Sequence, residues 1–383
     1  MADSASGELA IVMSGGGARA AYQVGLLRWL AREHPDLRIP IVTGVSAGAI
    51  NAAFLASHTT SFPQRVERLT EMWKSLTVEQ VFRVDTFSLA RNVLRLGAKL
   101  MSGGRLAAPQ THAAVDTKPL WDLLGRALNA VDGRLPGIDA NLRDGVLRAV
   151  AITTSSYTTG QSITWVQGRD IEQWERAHRR SFNAEITVAH VMASSALPIF
   201  FPAIQIANDW YGDGGLRLTA PLSPAVHLGA DRILAISTRY VRAAGEPDEP
   251  VTTGYPPPAL ILGSLLNSIF LDQFDADALT MQRVNNILEA VPAIRERGFR
   301  PLRLLVMRPS MNLGRLANAY EVQLPGSFRF LTRGLGTKET RTNDLLSLLM
   351  FQPDYLARLV ELGEADAEAR RDELDAFLTK PAD

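Results

Sequence analysis

Two short β-branched runs, each delivered straight into glycines and then into a helix, set the frame for this chain. Residues 9–17 read LAIVMSGGG and residues 39–51 read IPIVTGVSAGAIN. LAIVM is continuously apolar rather than alternating, as expected of a strand covered on both faces in a parallel sheet. AAYQVGLLRWLARE (20–33) follows the first run, with Val24, Leu27, Leu30 and Ala31 at helical spacing, and AGAINAAFLAS (47–57) follows the second. Strand, helix, strand, helix at this pace predicts a mainly parallel sheet with helices on its faces.

The same texture resumes later. RAVAITTSSYTTGQSITWVQ (148–167) reads as a strand pair turning near Gly160, and TVAHVMASSALPIFFPAI (187–204) as a short helix ended by Pro198. DRILAIST (231–238) and PLRLLVM (301–307) are further buried-type strands. Residues 59–145 are helical and irregular, GEPDEPVTTGYPPP (245–258) is a proline-blocked loop, and from about 311 the chain is helical and increasingly charged. The expected organisation is one α/β domain over 8–310, with a helical insertion or cap at 59–145. A helical C-terminal extension, 311–383, packs on it.

Composition removes several function classes. The 383 residues carry 40 Lys+Arg against 40 Asp+Glu, so a globally basic nucleic-acid binder is not expected. With no cysteine, thiolate nucleophiles, disulfides and cysteine-ligated metals are excluded. His34, His58, His112, His178, His190 and His227 are scattered without ligand spacing, so neither a metal nor a cofactor is expected. The start MADSASGELAIVM lacks the basic and apolar regions of a secretory signal, and no apolar run is long enough to span a bilayer. A cytoplasmic protein, at most peripheral to a membrane, is expected. Nothing in the sequence sets its oligomeric state.

GGGARA (15–20) admits two readings. It satisfies the dinucleotide pattern G-x-G-x-x-A, but that fold needs a carboxylate at the end of the second strand, where VTGVS has none; Glu33 and Asp36 precede that strand. Alternatively, consecutive glycines at a helix N-terminus leave amides unpaired, with the helix dipole behind them, a cradle for a phosphate or an oxyanion.

GVSAG (44–48) is G-x-S-x-G between a strand and a helix, the nucleophile elbow that holds a serine on a sharp turn with its Oγ exposed. Gly44 and Gly48 are needed because a Cβ there would collide with the adjoining strand or helix. One glycine set then exposes a nucleophile, and the other supplies donors for the charge that its attack creates. Ser46 needs a base. A Ser46–Asp213–His227 order is formally available, but PLSPAVHLGADRI places His227 late in a helix. WYGDGGLRLTAPL offers Asp213 directly. IQIANDWYGDGG already contains a hairpin turn at Asn208–Asp209, so the glycines after Asp213 call for another reason. A carboxylate serves as base at neutral pH only where a dry pocket raises its pKa.

GGGAR, GVSAG and DGG in this order, with SSALPIFFP (194–202) before the aspartate, resemble the patatin-like phospholipase family over roughly residues 8–240. The resemblance implies a three-layer α/β/α fold and a Ser–Asp dyad, with Ser46 as nucleophile and Asp213 as base. It implies an oxyanion hole from the amides around Gly15, Gly16 and Gly17, with Arg19 steadying that loop or meeting a lipid phosphate. Gly44, Gly48, Gly214 and Gly215 support the elbow and the aspartate loop. The implied substrates are lipid acyl esters, cleaved through an acyl-serine without metal. An acyltransferase or thioesterase on the same dyad is the nearest alternative, and a nucleotide-binding regulatory protein a more distant one.

Two stretches are candidates for handling lipid. Residues 81–106 carry five basic residues against Asp85, together with Phe82, Phe87, Leu89, Leu94, Leu96 and Leu100. That suits an interfacial helix on anionic lipid, or an ordinary cap helix with solvated arginines. ALILGSLLNSIFL (259–271) reads as an acyl-tunnel lining or as buried core.

Overall fold

The computed structural model describes residues 8–379 apart from 84–114, 199, 243–244, 246–251, 253, 271, 292, 294–299, 325, 335, 338–339 and 341. Among the described residues ten strands form one sheet: β1 (Leu9–Met13), β2 (Ile41–Val45), β3 (Ala149–Ser156), β4 (Ser162–Gly168), β5 (Glu175–Arg176), β6 (Arg179–Asn183), β7 (Ile204–Ile206), β8 (Asp209–Asp213), β9 (Arg232–Ile236) and β10 (Arg303–Met307). The order is β10-β9-β1-β2-β3-β4-β6-β5, and the block from β10 to β3 is parallel throughout. β1 thus has a neighbour on each side and helices on each face, which is why its sequence does not alternate.

Alternate residues of each central strand feed the two faces. Leu9, Ile11 and Met13 join the larger core, with α1 (Ala21–Glu33), α2 (Ala47–Ser57), α3 (Phe62–Ser75) and the C-terminal helices. Ala10 and Val12 join a smaller core completed by Leu222, Ala225, Phe274 and Ala278, from the helices Ser223–His227 and Asp272–Ala290 and their approaches. The result is the expected three-layer α/β/α architecture.

The C-terminal helix Pro353–Ala369 lies along α1 with almost nothing between the backbones. A Cβ on Gly25 would strike the Val360 carbonyl, and one on Gly363 would strike the Tyr22 carbonyl. Arg28 and Arg32 meet Glu364 at 3.0 and 2.7 Å along the seam, and Trp29 Nε1 donates to Glu368 at 2.7 Å.

At its other end the sheet turns antiparallel. β3 and β4 form the expected strand pair. The turn between β7 and β8 falls on Ala207–Asn208, one residue before the expected position, with Ala207 at φ +53°. The insertion contributes α3 and the helices Val78–Val81, Lys118–Ala127 and Pro136–Arg143. Most of the 81–106 stretch lies outside the described residues. Residues 259–270 of ALILGSLLNSIFL fall in the helix Pro258–Phe270, which buries Ala259 and Leu266 but leaves Ile261 and Leu265 44% and 55% exposed. Its apolar run covers both faces, so sequence alone does not separate core from surface. Among the described residues no helix is long and apolar enough to cross a membrane.

Candidate active site

β2 and β8 approach each other head to head along one edge of β3. β2 runs parallel to β3 and ends with Val45 opposite Thr153; β8 runs antiparallel and ends with Asp213 opposite Thr154. β4 occupies the other edge of β3 at these positions. The residue after β2 and the last residue of β8 are therefore neighbours by sheet register. Ser46 Oγ donates to Asp213 Oδ2 at 2.6 Å.

Ser46 sits at φ 56°, ψ −131°, a conformation that side-chain-bearing residues adopt only under constraint. Three features hold it there. A Cβ on Gly48 would enter the Met13 and Ser14 carbonyls, and one on Gly44 would enter the Gly48 carbonyl, so the turn is compressed between strand and helix. The Ser46 amide donates to Ser194 Oγ at 3.0 Å, and Ser194 Oγ donates onward to the Thr153 carbonyl at 2.6 Å. Ser195 Oγ donates to the Ser46 carbonyl at 3.0 Å. The two serines of SSALP thus pin both main-chain polar groups of Ser46.

Asp213 is fully buried. Burial pushes its carboxyl up to about 7, against the hydrogen bonds from Ser46 and from the Gly215 amide, which draw it down. The Gly215 amide reaches Oδ1 at 2.9 Å, leaving Oδ2 to Ser46. Gly214 lies so close to β3 that a Cβ would meet the Thr153 carbonyl. None of the described histidines bonds to either residue. His227 is exposed and stacks on Trp174 at 4.6 Å between centroids, His58 stacks on Phe54, and His190 packs on Trp165. Burial lowers His190 to about 4.

The glycine turn lies alongside. An ideal Cβ on Gly15 would be 3.0 Å from Ser46 Cβ and 3.6 Å from its Oγ. The carbonyls of this turn are tied back into the protein: that of Ser14 accepts from Gln23 Nε2 at 2.8 Å, and that of Gly15 from Thr238 Oγ1 at 2.6 Å. The amides of Gly15, Gly16 and Gly17 have no protein acceptor among the described residues. The position where a dinucleotide fold needs its ribose-binding acid, the end of β2, is held by Ser46. Arg19 is buried and directs its guanidinium to Asp344 and Ser347.

Ser46, Gly16 and Gly17 open into an apolar cavity. Its walls are Ile50 of α2, Met72, Trp73 and Leu76 at the end of α3, Leu120, Leu123 and Leu124 from the insertion, Leu197 and Phe201 after SSALP, and Leu348, Leu349 and Phe351. Among the described residues, none of the 259–271 stretch lines it. The wall residues escape sequence reading because each comes from an ordinary amphipathic segment; only the topology brings them together. Ser194 and Ser195 open SSALPIFFP, and no pattern in that segment marks their targets. Among the described residues there is no cluster of three or more groups suited to a metal.

Comparison with known proteins bears on the whole arrangement. No curated protein matches the chain by sequence. Several solved structures resemble it at low identity. VipD from Legionella pneumophila is 13% identical, covering 96% of this chain and 67% of that one, at a TM-score of 0.42. Human GIVD cytosolic phospholipase A2 is 14% identical, covering 97% and 59%, at 0.45. The type III effector ExoU of Pseudomonas aeruginosa is 14% identical, covering 97% and 54%, at 0.38. This chain therefore spans little more than half the length of the latter two. The family model for patatin-like phospholipases matches residues 11–226, more than half of the sequence and the part that holds both turns, SSALP and Asp213. The chain belongs to the patatin-like phospholipase family.

Proposed function

We propose that this protein is a serine lipid acyl hydrolase of the phospholipase A or lysophospholipase type, with Ser46 as nucleophile and Asp213 as its base. The observation that carries this reading is the 2.6 Å hydrogen bond from Ser46 Oγ to a fully buried carboxylate. Burial raises the proton affinity of that carboxylate into the neutral range, where it can take the serine proton and return it.

Ser46 Oγ attacks the ester carbonyl as its proton passes to Asp213. The amides around Gly15, Gly16 and Gly17 hold the oxyanion, and their tied-back carbonyls keep negative dipoles out of its way. Asp213 protonates the departing alcohol, leaving an acyl-serine. It then takes a proton from water as the water attacks the acyl carbonyl, and returns that proton to Ser46 Oγ as the acyl bond breaks and the carboxylic acid is released. The apolar cavity beginning at Ser46 supports a long acyl chain as the part of the substrate that is held. Ser46 donates its amide to Ser194, so that amide takes no part in holding the oxyanion in this scheme.

Hydrolysis of a panel of phospholipids, lysophospholipids, triacylglycerol and p-nitrophenyl esters tests the proposal. Ser46→Ala and Asp213→Asn are each expected to lose about a hundredfold or more while remaining folded. Wild-type-like turnover by either variant refutes the dyad. A radiolabelled acyl donor offered water and competing alcohols separates hydrolysis from acyl transfer.

A further inference from the structure

The family match ends at residue 226, yet the glycine turn is held from far beyond it. Arg19, two residues after Gly17, is 3% exposed and sends every arm of its guanidinium into the C-terminal part of the chain. Nε donates to Ser347 Oγ at 2.7 Å, and Nη2 donates to Asp344 Oδ1 at 2.7 Å and to the Asp344 carbonyl at 3.2 Å. Nη1 reaches Asn267 Oδ1 at 3.3 Å. Ser347 Oγ closes the set by donating to the Asp344 carbonyl at 2.7 Å. The next residue presses on the turn itself: a Cβ on Gly17 would strike the Leu348 carbonyl. Leu348, Leu349 and Phe351 then form one wall of the cavity at Ser46.

We infer that residues 343–351 are a working part of the acyl-transfer site, with Asp344 and Ser347 as positioning residues. They fix Arg19, and Arg19 fixes the turn whose amides face the reacting carbonyl. A buried guanidinium deprived of its carboxylate is an uncompensated charge, and the turn that carries it is the element free to move in response. Amides displaced by a fraction of an ångström lose much of their hold on an oxyanion, while an acyl chain still finds its cavity. The inference rests on the hydrolase reading above, and its test includes a readout that needs no substrate.

Asp344→Asn keeps the side-chain shape and removes the charge. On a short soluble p-nitrophenyl ester it is expected to lower kcat about tenfold or more and to leave KM within about twofold. Hydrogen exchange is expected to quicken across residues 14–20 and to stay unchanged across β2. Ser347→Ala, a milder change, is expected to show the same pattern at about threefold in kcat, which keeps the test open if Asp344→Asn fails to fold. Arg19→Lys combined with Asp344→Asn should cost no more than the larger single change, because both break one linkage. Wild-type exchange across 14–20 in the folded variants overturns the inference. So does full additivity of the two substitutions, or a loss carried wholly by KM. Exchange is read on the free protein, so its failure is distinct from failure of the hydrolase reading, which is scored by Ser46-dependent turnover.

Discussion

The turns that follow β1 and β2 are neighbours, both lead from a parallel strand into a helix, and both rely on glycine; they are nevertheless secured in different ways. The Ser46 turn is held largely by main chain pressed against main chain. Gly44 and Gly48 bring strand and helix into backbone contact around a residue at φ 56°, and the adjacent serines of SSALP fasten its amide and carbonyl. The Gly15–Gly17 turn is held chiefly through side chains: Gln23 and Thr238 take its carbonyls, Arg19 is anchored by its C-terminal partners, and the Leu348 carbonyl lies against Gly17. The difference suits the two tasks proposed for these turns. Exposing one hydroxyl takes a single sharp bend, and strain can be stored in it. Presenting a row of amides requires their carbonyls to be satisfied elsewhere, so such a turn recruits acceptors and donors from distant parts of the chain.

The largest effect that tests this contrast is expected at the Ser46 turn. Gly48→Ala drives a methyl into the Met13 and Ser14 carbonyls, neither of which can withdraw without disturbing β1. A stability loss of about 3 kcal/mol or more is expected, read as a lowered thermal midpoint and little folded protein. Gly17→Ala should separate the properties instead. Its φ of +54° costs a Cβ-bearing residue about 1 kcal/mol, and the Leu348 segment must shift to admit the methyl. A kcat loss of ten- to hundredfold in a protein that still folds is the expected result, on the order of 1.4 to 2.7 kcal/mol in the barrier. Equal destabilisation by the two alanines would break the contrast.

The smallest effect sharpens the chemistry of the Ser46 side. Asp213 has a folded pKa of about 7 against an ordinary 3.8, so the folded state binds its proton more tightly than the unfolded state does. The stability this group contributes is therefore complete below about pH 4 and is lost as pH rises through 7. Asp213→Asn mimics the protonated form. Its thermal stability should exceed that of the wild type by about 1–2 kcal/mol at pH 8, converging toward pH 4. The gain stays below the full linkage because Asn gives up the charge-assisted bonds from Ser46 and Gly215. In the wild type, kcat/KM should rise with pH and level off above about 7, since only the ionised carboxylate can accept the serine proton.

The contrast also explains what could be read from the sequence. The Ser46 turn was legible because its physics fits into five consecutive residues, G-x-S-x-G, placed after an apolar run. Asp213 was legible as a carboxylate beside otherwise unexplained glycines, which offered it to Ser46 as a base, and the family resemblance implied the same pair. Arg19 was visible but its partners were not: Asp344 and Ser347 lie 325 and 328 positions away, in a helix with no distinguishing composition. The cavity wall was hidden for the same reason. The helix Pro258–Phe270 shows the converse problem, since an uncharged run reads as interior although Ile261 and Leu265 face outward.

The opposed ends of β2 and β8 carry one more consequence. Because they stop on consecutive residues of β3, the gap between hydroxyl and carboxylate is set by the main-chain ladder rather than by loop length. Insertions elsewhere, such as the long one between α2 and β3, can then vary in size and composition without retuning the reactive pair. In the proposed reaction, chemistry and substrate choice are thereby uncoupled: one is written into strand pairing, the other into whatever is draped over it.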